Sequence, residues 1–188
     1  EISYCLRTSL TYSDKADVIE LLPGQILVTP ADLPHRLSTH TKGLVMDWMI
    51  VRVPKVNAGF LGLPRAESQA LTDRLRALPK QPFPGNAAIR QLFQRLFALY
   101  DSPRSAYQRC ALRGTCLALM LALVDASEET ACVLATSRLR AAIEQMRRSP
   151  EVDYPVDALA RLAGLAPGHL INRFKALTGL PPHQFLIA

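Results

Sequence analysis

The chain is poor in the residue pairings that build metal and redox centres. Its four cysteines, Cys5, Cys110, Cys116 and Cys132, form no Cys-x-x-Cys pair and fit no zinc-type spacing. No His-x-His pair occurs among its four histidines, and a catalytic metal site takes about three protein ligands. No metal or other cofactor is therefore expected, and the cysteines read as reduced, mostly buried thiols of a cytoplasmic protein. Long apolar runs are missing as well. The longest, Gly114 to Val124, falls short of the roughly 20 residues that span a bilayer. No secretory leader pattern is visible. The first residue is Glu1 rather than Met, so the native start is expected to be missing. Acidic residues are absent from Gly164 to Ala188, where Arg173 and Lys175 are cationic.

What is present is ordinary for a soluble globular chain: 188 residues, 49% hydrophobic and 20% charged. That length holds one large or two small domains with proper cores. A formal charge of +6 and a pI near 9.4 favour polyanionic partners without identifying one.

The most informative stretch runs from Pro155 to Phe185. Val156, Leu159, Ala160 and Ala163 recur at i, i+3, i+4 and i+7, one apolar face of a helix. Gly164 then supplies the left-handed residue that ends a helix at little cost. Leu165 plugs the corner, and Pro167 sits where a first-turn proline sacrifices no hydrogen bond. The second helix is predicted from Pro167 to about Leu177, stopping at Thr178-Gly179. Its inner face is Leu170, Phe174 and Leu177; its outer face is Gly168, Ile171, Asn172 and Lys175. Two short helices around a tight turn can lay the second helix in a DNA major groove, where side chains reach base edges.

Leu159-Ala160, Ala163-Gly164-Leu165, Pro167, Leu170, Phe174-Lys175, Thr178-Gly179-Leu180, Pro182 and Phe185 together resemble the first helix–turn–helix of the AraC/XylS transcriptional regulators. Two positions depart from that pattern. Ala166 stands where the family commonly has Ser or Thr, and a lost N-cap hydroxyl costs about 0.5–2 kcal/mol. Asn172 stands where Arg is frequent; Asn reads adenine bidentately, whereas Arg favours guanine. On this resemblance Gly168, Ile171 and Asn172 are expected to face bases, and Arg173, Lys175 and Thr178 to face phosphates. His169 is expected to do either, or to cap the helix.

Upstream, Ile2 to Leu10, Val18 to Leu22, Ile26 to Val28 and Leu44 to Val53 have strand composition, with Pro23-Gly24 as a turn. The segment Pro23 to His35, running from Pro-Gly to Pro-His, resembles that of cupin barrels such as the sensor domains of AraC-type regulators. His35 matches the last metal ligand of catalytic cupins and nothing else in the chain supplies the others. The resemblance implies an effector pocket, with Tyr4, His35 and Trp48 as candidate lining residues.

Between these regions, Pro54 to Arg65 reads as a loop, Ala66 to Leu78 as a helix, and Pro79 to Gly85 as a break. A helix resumes near Asn86 and ends at Asp101-Ser102-Pro103. Ala106 to Val124 is apolar almost all round, so it is expected to be buried in the core or against a second copy. Ser127 to Thr130 reads as a polar interdomain break, and Ser137 to Arg148 as a further helix, with Arg138, Arg140, Arg147 and Arg148 expected to be solvated and phosphate contact as the alternative.

The resulting expectation is an α+β chain. Residues 1–54 form a partial cupin-like antiparallel β-barrel that binds an effector. Residues 55–133 form a helical connector and dimerisation region, and 134–188 an all-α helix–turn–helix domain. The family carries a second helix–turn–helix after a long joining helix. The sequence stops where that helix is expected to start, so the expectation is either a truncated chain or one whose remainder is not represented, ahead of a natural single-unit protein. The functional expectation is a cytoplasmic, homodimeric, effector-controlled transcription regulator that binds double-stranded DNA and is not an enzyme. Two alternatives belong to other classes: a cupin-type small-molecule enzyme, and a dimerising module without DNA binding.

Overall fold

The computed structural model describes residues 1–13, 18–31, 33–40, 42–54, 59–101 and 105–186, without the side chains of 38–40. Asp32, Asn57, Ser102, Pro103, Ile187 and Ala188, on which parts of the sequence reading fell, lie outside the described residues. The fold is α+β and divides into two compact units, Glu1–Glu128 and Glu129–Ala188.

Unit 1 holds two antiparallel sheets. The first has the order β6-β1-β4-β7, from β1 (Ile2–Arg7), β4 (Gln25–Val28), β6 (Val45–Met49) and β7 (Phe83–Pro84). The second has the order β3-β2-β5, from β2 (Leu10–Ser13), β3 (Val18–Leu21) and β5 (Arg36–His40). Strand β1 is central, with Ile2 opposite Val28 on one side and Met49 on the other. The sheets do not close into a barrel: no ladder joins them among the described residues. Side chains fill the space between them instead, with Cys5, Leu10, Tyr12, Leu21 and Leu27 buried there.

The other face of the first sheet is covered by helices α1 (Arg65–Arg76), α2 (Ala87–Tyr100) and α3 (Ala106–Arg148). Ile2, Tyr4 and Ile26 meet Leu71, Ile89, Phe93, Leu119 and Leu123 in that core. Successive strand residues point to opposite faces. With both faces covered, Ile2 and Tyr4 enter the helical core while Cys5 enters the inter-sheet core. That is why β1 shows no clean polar–apolar alternation.

Three sequence expectations change here. Pro79 to Gly85 does break the helices, but it also contributes β7, so the sheet draws on residues beyond 54. Phe83 pairs with Ile26 and is buried, and the Gly85 N–H donates to the Gly24 carbonyl at 2.8 Å. Only glycine fits at 85, because a Cβ there would lie 2.8 Å from the Tyr4 ring. Second, Ser127 to Thr130 is not a break. The polar residues lie inside the 43-residue α3, where Ser127 Oγ donates back to the Val124 carbonyl at 2.8 Å. Polar side chains do not stop a helix when no proline or glycine accompanies them. Third, α3 is not buried all round. Leu119, Met120 and Leu123 are core residues, whereas Tyr107 and Leu121 are exposed. By length and composition alone α3 could cross a membrane, with mean hydropathy 1.5 over 18 residues and 33% of them buried. The uninterrupted apolar run Gly114 to Val124 is shorter than that window.

Unit 2 packs the C-terminal part of α3 with α4 (Val156–Ala163), α5 (Pro167–Thr178) and α6 (Pro182–Phe185). Its core is Leu139, Ile143 and Met146 from α3, Leu159, Ala160 and Ala163 from α4, and Leu170 and Phe174 from α5. Phe185 meets Phe174 edge-on at 5.4 Å and lies under the Arg147 guanidinium at 5.7 Å.

Candidate functional site

Helix α4 ends where the spacing predicts. Gly164 adopts φ 68° and ψ 35°, the left-handed conformation that L side chains avoid. The Leu165 N–H then donates to the Ala160 carbonyl at 2.9 Å, closing the turn. Helix α5 starts with Pro167 and has no side-chain cap at Ala166. The first-turn N–H groups therefore receive no side-chain acceptor and leave partial positive charge at that end.

Leu170 and Phe174 are fully buried and anchor α5. That fixes which residues face out: Gly168, His169, Ile171, Asn172 and Lys175 are all exposed. Two expected contacts have other partners. The Thr178 hydroxyl donates to the Phe174 carbonyl at 2.9 Å and accepts the Leu180 N–H at 3.3 Å, so it caps the end of α5. Its short side chain reaches the backbone before it reaches solvent. Arg173 is half-buried, with Nη2 2.7 Å from the Cys132 sulfur. It lies with Leu165, His169 and Asn172 around a shallow cleft of about 360 Å³. His169 is exposed in the first turn of α5.

Sequence reasoning did not anticipate Cys132 or the position of Arg138. The Arg138 guanidinium comes within 3.7 Å of the space a Cβ would take at Gly164, so a further cation lies beside the α4–α5 turn. Both residues sit on α3, and only the fold brings them there.

Unit 1 carries a second concave feature, an open groove of about 570 Å³. His35 and Trp48 line it, as does Tyr12, but Tyr4 does not. Tyr4 is buried on the helical side of β1, 6.2 Å from the Phe93 ring, which removes it from the candidate lining. Tyr12 takes that place because β2 faces the inter-sheet space. Its hydroxyl donates to Ser3 Oγ at 2.9 Å, and its ring tilts against His35 at 5.8 Å. Burial pushes the Tyr12 hydroxyl above its ordinary pKa, with the Ser3 hydrogen bond acting in the opposite direction. His35 Nδ1 is 3.0 Å from the Leu33 carbonyl, and Nε2 is 3.6 Å from the Glu1 carboxylate. Among the described residues no group of three or more His, Cys, Asp or Glu side chains comes together.

No family model, curated protein or solved structure matches the chain.

Proposed function

We propose that the chain is a sequence-specific DNA-binding transcription regulator, with unit 2 as the reader and the unit 1 groove as the site of a small-molecule effector. The observation that carries this reading is the outer face of α5. It is free of acidic residues, held by Leu170 and Phe174, and preceded by a tight glycine-ended turn. A helix–turn–helix lays such a helix in the major groove. Gly168 lets the backbone approach, Ile171 can contact a thymine methyl, and Asn172 can pair bidentately with adenine. Lys175 and the uncapped start of α5 favour phosphates, which position the protein without specifying sequence. Arg138 adds to that electrostatic footprint. The resemblance of residues 159–185 to AraC/XylS readers supports the same reading and implies a homodimer. Effector control requires the small molecule to bind two arrangements of the protein with different affinity.

The test is fluorescence anisotropy against DNA from upstream of the protein's own coding sequence and against a scrambled duplex, at two salt concentrations. A preference of about a thousandfold or more for the native duplex is expected. Equal, salt-sensitive binding to both would reduce the chain to a basic protein meeting a polyanion.

A further inference from the structure

We propose that the unit 1 groove takes a small monoanionic amphiphile, with an apolar body against Trp48 and one negative head on Arg36. This deepens the reading that unit 1 holds the effector and rests on it.

Large apolar side chains rarely gather on a protein surface without a partner. Trp48 is 55% exposed, Val45 44% and Leu37 40%, yet all three line one concavity. Leu44 and Met46 line it too and continue into the core between the sheets. The groove is thus an open end of that apolar core. Its volume of about 570 Å³ falls within the range of small-molecule sites.

The polar groups around the groove decide the head. Tyr12 donates to Ser3, and Ser3 donates to Glu1 Oε1 at 3.1 Å. The other Glu1 oxygen faces His35, whose second nitrogen faces the Leu33 carbonyl. These groups engage one another, so the carboxylate and the imidazole each have a protein partner. Arg36 differs: its Nε reaches Ser13 Oγ only at 3.4 Å, and the side chain is exposed. A guanidinium presents a planar fork that matches a carboxylate bidentately. A cationic head would be repelled by Arg36, the Glu1 carboxylate on the same lining already accepts from Ser3, and a polyol would leave the apolar walls without a partner.

Trp48 is the only tryptophan in the chain, so its fluorescence reports on the groove. The full chain, without DNA, is titrated with 4-cyclohexylbutanoate and with the alcohol and the amine of the same skeleton, none of which absorbs with indole. The carboxylate is expected to shift Trp48 emission saturably and to bind about tenfold or more tighter than the alcohol, with the amine weakest. Arg36→Gln should bring the carboxylate down to the level of the alcohol and leave the alcohol unchanged, while Arg36→Lys should keep part of the advantage. Equal binding of all three heads, preference for the amine, or no saturable change would overturn the proposal. So would a Trp48 signal that changes only with protein concentration, which would mean that a second copy fills the groove. Tight carboxylate binding that leaves DNA anisotropy unchanged would instead count against effector control and leave the groove assignment standing. Specific DNA binding with a silent Trp48 would sink the groove assignment alone.

Discussion

The two units differ in what their concave and helical surfaces present, although each leaves some large apolar side chains exposed. Unit 2 buries Leu139, Leu170 and Phe174 where α3, α4 and α5 pack together, while Val133, Leu134, Val152 and Leu162 stay exposed outside α5. The exposed residues of α5 are His169, Asn172 and Lys175 beside Pro167, Gly168, Ala176 and Ile171, and none is acidic. Unit 1 covers one sheet on both faces yet leaves Trp48, Val45 and Leu37 around a groove. A surface cleared of acids and carried on a well-anchored helix suits a long polyanion. An apolar concavity lined also by Arg36, Glu1 and His35 suits a small molecule. The contrast assigns each proposed partner to one unit, and substitutions can break it or sharpen it.

The largest effect is expected from Phe174→Ala. Phe174 is fully buried in the core shared by α3, α4 and α5 and meets Phe185 of α6, and emptying such a site costs about 3–5 kcal/mol. Because Trp48 lies in unit 1, its fluorescence and the far-UV helical signal report differently on the two units. The helical signal should begin to unfold at lower denaturant than Trp48 emission changes. Coincident transitions would mean that the continuous α3 couples the units into one cooperative structure, and the contrast would then hold only for their surfaces.

Next come the substitutions on the outer face of α5. Asn172→Ala should cost about 1–3 kcal/mol at one base pair and relax preference there. Lys175→Ala should weaken specific and scrambled duplexes alike and lower the salt slope by about one. Identical losses on both duplexes for both variants would remove the division between reading and positioning. Gly164→Ala tests the turn itself. A left-handed alanine costs about 1–2 kcal/mol, so thermal unfolding of unit 2 should come earlier while the Trp48 signal holds.

Unit 2 was far more legible than unit 1, and particular residues explain why. The apolar period of α4 and the punctuation at Gly164, Pro167 and Gly179 act locally. Each sets backbone geometry within a few residues of itself, so the bounds Val156–Ala163 and Pro167–Thr178 lie close to the spacing. Tyr4 and Tyr12 depend instead on which sheet face meets which neighbour. With both faces of β1 buried, alternation cannot say which tyrosine lines a groove. β7 was hidden because Phe83 sits in a proline-rich break whose partner, β4, is more than fifty positions away in sequence. Cys132 and Arg138 were hidden for a related reason: helix period puts them on a face but does not say what packs beside that face. Ser127 to Thr130 differs in the other direction: its polarity suggests a break, yet nothing there interrupts the backbone of α3.

The smallest effect is electrostatic and belongs to unit 1. Asp47 pairs across the sheet with Tyr4 on the edge strand β6 and is half-buried. Burial pushes its carboxyl above the ordinary value of 3.8, while the charge of Arg90 pulls it partly back. A carboxyl raised on folding binds its proton more tightly in the native state, so stability falls as pH rises from the ordinary carboxylate range through the raised value. Below that range Asp47 is protonated in both states and the penalty vanishes. Asp47→Asn keeps the shape and cannot ionise. It should therefore leave the unit 1 melting temperature unchanged at strongly acidic pH and raise it modestly at neutral pH, read from the Trp48 transition. A neutral-pH loss of stability would mean that attraction to Arg90 outweighs desolvation at this position, and the sign assigned to burial would be reversed.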